Sequence, residues 1–240
     1  MRQSGHHECG ARILANVESY PSHYGGNGHL NMRNMEIRIH TQSGSVETFF
    51  QDSPAQVASI LKGIHSTKVF ASNSITIAGD YSLTTFVASR VNRVDLIDEA
   101  LPPWKHPDDI LDVVELSEDE FRERSHLNDP ARLERRRSPK QTGEFALVFV
   151  EVEMTGGTRI FLAAKIKVGL PAERLQRLRT LFSAAAVHFR MRPGGTAILN
   201  LKNLVRFTLN PGPDVTPIDA WSAHHLSRQQ ESARIAGALD

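Results

Sequence analysis

Two stretches of this chain, 113 positions apart, carry the same pattern. Ile37-Arg38-Ile39-His40-Thr41-Gln42-Ser43-Gly44-Ser45 aligns with Val150-Glu151-Val152-Glu153-Met154-Thr155-Gly156-Gly157-Thr158, and Val91-Asn92-Arg93-Val94-Asp95-Leu96 aligns at the same offset with Leu204-Val205-Arg206-Phe207-Thr208-Leu209. Between these anchors each stretch has a helical segment opened by a proline, Pro54 or Pro171, and then a phenylalanine, Phe70 or Phe189. The prolines are 117 positions apart, so the second copy has a longer loop before its helix and a shorter one after it. Loops take such changes without disturbing core register. A unit of about 60 residues buries only a marginal share of its surface. Two such units on one chain are therefore expected to seal their apolar faces together, sheet to sheet or edge to edge.

Within the first unit, residues 35–97, Ile37 and Ile39 alternate with polar neighbours, the period of a half-buried strand. Gln42-Ser43-Gly44-Ser45 turns the chain, and Val46–Phe50 returns as the second arm of a hairpin. Asp52 or Ser53 caps a helix with Pro54 in its first turn, where a missing N–H costs nothing. Val57, Ile60, Leu61 and Ile64 form its apolar stripe. Val69-Phe70, Ser74–Ala78, Ser82–Ala88 and Val91–Leu96 read as short strands. The second unit, residues 143–212, repeats this order with strands at Phe145–Met154, Thr158–Val168, Val187–Met191, Thr196–Leu201 and Leu204–Leu209, and with Leu175, Leu178, Leu181 and Phe182 on the face of its helix.

A charged connector, residues 98–142, separates the units. Residues 98–123 hold ten acidic and two basic side chains, while residues 124–140 hold six basic and two acidic ones, so the net charge of +1 conceals a strong asymmetry. Ser117 with Glu120 three residues on is a capping-box signature and predicts a short helix near 117–125. Residues 1–34 lack periodicity and read as a poorly structured leader, with Met32 or Met35 as the expected start of the native protein. Residues 213–240 read as a loose tail.

Candidate chemistry is sparse. His6, His7 and Cys9, with His23 and His29, are metal ligands by type but lack the spacing of a four-ligand set. Gly25-Gly26-Asn27-Gly28 has neither the preceding strand nor the lysine of a phosphate loop. The connector carboxylates Asp108, Asp109, Asp112, Glu115, Glu118, Asp119 and Glu120 do not follow the alternation of a calcium loop. Arg132-Leu133-Glu134-Arg135-Arg136-Arg137 has RxxxR spacing ahead of a β-rich unit and in this resembles PilZ domains, which would imply cyclic di-GMP as ligand. The D/NxSxxG turn of that family is missing, since the corresponding hairpin reads Thr155-Gly156-Gly157-Thr158. No membership is read from it.

Residues 144–212 hold ten basic against four acidic side chains. A nucleic-acid surface is therefore the alternative reading, using Arg132, Arg135, Arg136, Arg137, Arg174, Arg177, Arg190, Arg192, Lys202 and Arg206 against phosphates. Phe149, Phe161, Phe189 and Phe207 would stack on bases. Arg93 and Arg206 occupy equivalent places and either face a shared groove or lie on the polar faces of their strands.

The expected fold is α+β: two tandem, related β-β-α-β-β units with antiparallel sheets, packed as an intramolecular pseudo-dimer. The expected function is a non-enzymatic binding or scaffold protein without cofactor, metal or catalytic residues, open to a protein partner or to self-association. One cysteine in the chain and the lack of a long apolar run place it in the cytoplasm rather than a membrane. An enzyme with residues gathered from both units would show a polar pocket between them.

Overall fold

Alternation puts Met35, Ile37 and Ile39 on one face of β1 (Met35–Thr41), where all three are buried. β2 (Val46–Gln51) returns antiparallel to it. Ser53 then caps α1 (Pro54–Gly63) by accepting from the Gln56 N–H at 3.5 Å, and Val57, Ile60 and Leu61 turn the helix's apolar side to the β1 face. A two-stranded hairpin follows, β3 (Ser74–Ala78) with β4 (Leu83–Val87), then a 3-10 turn at Ala88–Arg90 and β5 (Val91–Ile97). Next come β6 (Ile110–Leu116) and α2 (Glu118–Ser125). The chain continues with the hairpin β7 (Phe145–Met154) and β8 (Arg159–Lys167), then β9 (Ala186–Arg190) and β10 (Thr196–Asn200), a 3-10 turn at Leu201–Asn203, and β11 (Leu204–Asn210).

This computed structural model describes residues 35–64, 68–98, 101, 104, 106, 110–127, 129, 131, 145–167, 176, 180, 183–192, 194–210, 212, 220, 221 and 223. The expected leader lies outside these residues, as do most of the tail and most of the helix opened by Pro171. Among the described residues the fold is mixed α+β, mainly strands with two helices, and no helix is long and apolar enough to cross a membrane.

Three expectations need correction. The strands do not form two separate antiparallel sheets. Nine of them form one sheet in the order β11-β7-β8-β6-β9-β10-β5-β1-β2, and β3-β4 stands apart. The acidic stretch read as connector supplies β6, which pairs antiparallel with β8 and parallel with β9. It belongs there because Ile110, Val113 and Leu116 are buried, while its acids Asp112 and Glu115 meet arginines of other strands. Val69-Phe70 is a turn, closed by the Ala71 N–H on Lys68 O at 3.0 Å; burial of the Phe70 ring, not strand pairing, fixes it.

The segments Met35–Ile97 and Phe145–Asn210 pair their strands in the same order. β1 lies between β2 and β5, as β7 lies between β8 and β11, and β3 pairs with β4 as β9 pairs with β10. Single backbone bonds recur at matching places. Thr41 N–H donates to Ser45 O and Met154 N–H to Thr158 O, both at 2.9 Å. Gln42 N–H donates to Arg90 O at 2.9 Å, and Thr155 N–H to Asn203 O at 2.8 Å. Ala88 N–H reaches Asn73 O and Leu201 N–H reaches Ala185 O. One residue, Asn92 in β5 and Val205 in β11, is skipped at each bulge. Gly44 and Gly157 hold nearly the same left-handed conformation, φ +83° and +82°.

Each segment has its own core. Ile37, Ile39, Val94 and Leu96 lie with α1, Phe70 and Phe86, while Val150, Val152, Phe207 and Leu209 lie with strands β6 to β10. A third, smaller cluster sets Phe121 of α2 on Phe149 and Phe161. The β9–β10 hairpin serves both larger cores: Val187, Phe189, Ala197 and Leu199 enter one, Ala186 and Ile198 the other.

A cleft and an ion-pair network between the two segments

β10 lies antiparallel against β5, which joins the second segment to the first edge to edge. Around the 3-10 turns, side chains add to the join. Asn200 Nδ2 donates to Ala88 O and Val91 O, Asn203 Nδ2 donates to Val91 O at 2.9 Å, and Asn92 Nδ2 donates to Thr155 O at 2.7 Å. Here the hairpin turns approach so closely that a Cβ on Gly156 would stand 2.0 Å from Gln42 O.

Beside this contact opens a cleft of about 330 Å³, lined by His40, Val46, Asn92 and Arg93 of the first segment and by Thr158 and Arg159 of the second. Its lining comes from both segments and mixes polar groups with the apolar side chains of Val46 and Ile160. His40 Nε2 lies 2.8 Å from Asp95 Oδ2, and Arg93 Nε donates to Asp95 Oδ1 at 2.5 Å. Arg93 also grips Glu115 of β6 through both terminal nitrogens, at 2.5 and 2.9 Å, and its guanidinium lies 5.3 Å from the centre of the Phe189 ring. Two strands, β9 and β10, lie between β5 and β6. The Arg93 and Glu115 side chains therefore reach across both and tie β5 to β6 directly.

The network fixes the charges of its members. Burial alone would raise the Asp95 carboxyl, but the hydrogen bond with His40 and the Arg93 guanidinium outweigh it and hold its pKa below the ordinary carboxylate value. Arg93 is likewise opposed by burial and nevertheless raised, because Glu115 and Asp95 both hold its charged form. At the rim, Arg159 donates to Glu151 at 2.8 Å and to Glu118 at 3.4 Å. Both arginines of the cleft are thus matched by carboxylates.

A second cluster lies on β9. His106 stacks on His188 with ring centres 4.3 Å apart and planes within 9°, and Trp104 meets His188 edge-on. Burial holds the His106 pKa below the ordinary histidine value; Asp112 opposes this and Arg190 reinforces it.

Of the basic residues expected on a nucleic-acid surface, Arg132, Arg135, Arg136, Arg137, Arg174 and Arg177 lie outside the described residues. The other four are spread over three elements and a turn. Arg190 on β9 donates to Asp112, with Nε to Oδ1 at 2.9 Å. Arg192, in the turn after β9, pairs with Glu120 of α2. Lys202 Nζ donates to Phe70 O at 3.2 Å, and Arg206 on the edge strand β11 pairs with Glu153 at 2.8 Å. Phe149 and Phe161, expected to stack on bases, are buried under Phe121 of α2, Phe189 is buried in the second segment's core, and Phe207 packs against that core. Arg93 is one-tenth exposed and faces the cleft, whereas Arg206 is half exposed on the polar side of its strand.

Among known proteins, no family model, no curated protein and no solved structure matches the chain.

Sequence reasoning missed the His40–Asp95–Arg93–Glu115 network. One signal was present: buried strands carrying Asp95 and Arg93 two residues apart, a charge pattern that a core-facing strand does not tolerate without partners.

Proposed function

We propose that this chain is a non-enzymatic binding or scaffold protein, built from two copies of one β-β-α-β-β module joined as an intramolecular pair. The observation that carries the reading is the recurrence, 113 positions on, of the turn bonds, the bulge and the glycine conformation. Hydrophobic strand patterns coincide easily, whereas a skipped residue and a left-handed glycine at matching places do not. In the cleft between the modules, the carboxylates of Asp95, Glu115, Glu151 and Glu118 hold Arg93 and Arg159, which suits a braced junction. Removing one partner of a buried pair such as Arg93 and Glu115 leaves an uncompensated charge, so the pairs hold the junction together.

Two measurements test this. Gly44→Ala and Gly157→Ala both force a side chain into left-handed backbone, with open space around each. Equal losses of about 1–2 kcal/mol are expected in denaturant melts, and unequal losses count against a shared module. A hydrolase and phosphotransferase screen should show no turnover. Activity abolished by a single substitution would overturn the non-enzymatic reading.

The nucleic-acid alternative needs Arg190, Arg192 and Arg206 to exchange their carboxylates for phosphates. A mobility-shift titration at two salt concentrations decides it, since phosphate contacts weaken as salt rises.

A further inference from the structure

We infer that the outward face and outer edge of the β3–β4 hairpin dock a second copy of this chain, whose β11 pairs with β4. The inference rests on the module correspondence proposed above. In β9–β10, one face enters the core of its own segment through Val187, Phe189, Ala197 and Leu199, and the other enters the opposite segment's core through Ala186 and Ile198. In β3–β4, the residues at the places of Val187, Phe189 and Leu199 are Ile75, Ile77 and Phe86, and they too enter their own segment's core. The opposite face has no cover among the described residues. There Ser74, Leu83, Thr85 and Val87 stand where Ala186, Thr196, Ile198 and Asn200 stand in the other copy, and Leu83 and Val87 are 70% and 57% exposed.

The β10–β5 ladder shows what covers such a face: a segment of the same build, joined strand to strand. Its reciprocal is a β4–β11 ladder. Within the described residues that ladder is not made, since β11 ends the nine-stranded sheet and β4 pairs with β3 alone. Every copy of the chain therefore presents both halves of the missing ladder, and two copies related by a two-fold axis form it twice. Transferring the register of Thr196↔Leu96, Ala197↔Asp95 and Ile198↔Val94 gives Leu83 opposite Leu209, Thr84 opposite Thr208, and Thr85 opposite Phe207. Backbone bonds at a free edge supply the attachment and alternate side chains the selectivity.

The test uses the full chain with its one cysteine removed, Cys9→Ser. Proteins carrying Leu83→Cys or Leu209→Cys are made with distinguishable masses, mixed and mildly oxidised. The expected product is the mixed disulfide dimer in excess of either homodimer, while Val87→Cys with Leu209→Cys, out of register, cross-links poorly. In sedimentation, the unaltered chain is expected to dimerise. Leu83→Lys combined with Val87→Lys should raise the dissociation constant roughly tenfold or more, equivalent to about 1.4 kcal/mol, while the melting temperature in dilute, monomeric solution stays unchanged. A chain that sediments only as a monomer overturns the inference, as does a dimer indifferent to these substitutions or cross-linked without regard to register. The equal cost of Gly44→Ala and Gly157→Ala would then still stand, so the two proposals fail separately.

Discussion

The hairpins β3–β4 and β9–β10 occupy matching places in the two segments, yet one whole face of the first is exposed, whereas in the second only Arg190 at the end of β9 is. Their sequences differ accordingly. Ser74-Ile75-Thr76-Ile77-Ala78 alternates, and only Ile75 and Ile77 turn inward. Ala186-Val187-His188-Phe189 and Thr196-Ala197-Ile198-Leu199-Asn200 do not alternate, and all nine residues are buried. A strand covered on both sides reads as a run of apolar and small residues, a strand with one wet side as alternation. The comparison teaches where the molecule is welded: β9–β10 contributes to two cores at once, so neither core can be lost without exposing part of the other.

The same contrast separates Arg93 from Arg206. Both stand one position beyond the skipped residue of their strand, but β5 is enclosed by β1 and β10, whereas β11 ends the sheet. The enclosed arginine holds two carboxylates, and one of them, Asp95, is 2% exposed. Arg93→Met leaves Asp95 buried with His40 as its remaining partner, and chemical denaturation is expected to record a loss of about 3–5 kcal/mol. Arg206→Met breaks surface pairs and should cost no more than about 1 kcal/mol. Comparable losses at the two positions would erase the distinction.

The hairpins themselves give a second contrast. Ile198→Ala should cost about 2–5 kcal/mol, because Ile198 is fully buried against the first segment's core. Thr85→Ala, at the matching exposed place, should stay within about 0.5 kcal/mol. A large effect at Thr85 in dilute solution would mean that the β3–β4 face is already covered within one chain.

Acid sharpens the picture at smaller scale. The pKa of His106 is lowered on folding, so its neutral ring contributes stability above the ordinary histidine value, and this is lost as pH falls through the lowered one. Asp95 follows the same sign in a lower window: its carboxylate contributes above the ordinary value near 4 and ceases to as pH drops through its depressed pKa. Melting temperature against pH should therefore fall in two stages. Replacing His106 by Gln should remove the upper stage, and Asp95→Asn should flatten the lower one. If the upper stage survives the first substitution, another histidine is responsible.

What could be read from the sequence was local. The α1 cap at Ser53 and the box formed by Ser117 and Glu120 depend on residues three positions apart, and both sets of bonds are present. The turns at Gly44 and Gly157 were visible for the same reason. β6 was not, because Asp112 and Glu115 made its stretch look solvated, and the arginines that neutralise them lie 78 and 22 positions away. The cleft was hidden too, since Thr158 and Arg159 meet His40 and Arg93 only through the β10–β5 ladder and the touching hairpin turns. Long-range pairing set both, and no periodicity encodes a partner strand.

Native-state hydrogen exchange of the full chain tests the shared hairpin most directly. Amides of β9, β10 and β5 should exchange only through global unfolding, with one common free energy for strands of both segments, while β3 and β4 exchange faster through local opening. At a concentration where the chain is monomeric, two separate free energies, one for β1 and β5 and another for β7 and β11, would contradict the account, as would a β3–β4 hairpin as protected as β9–β10.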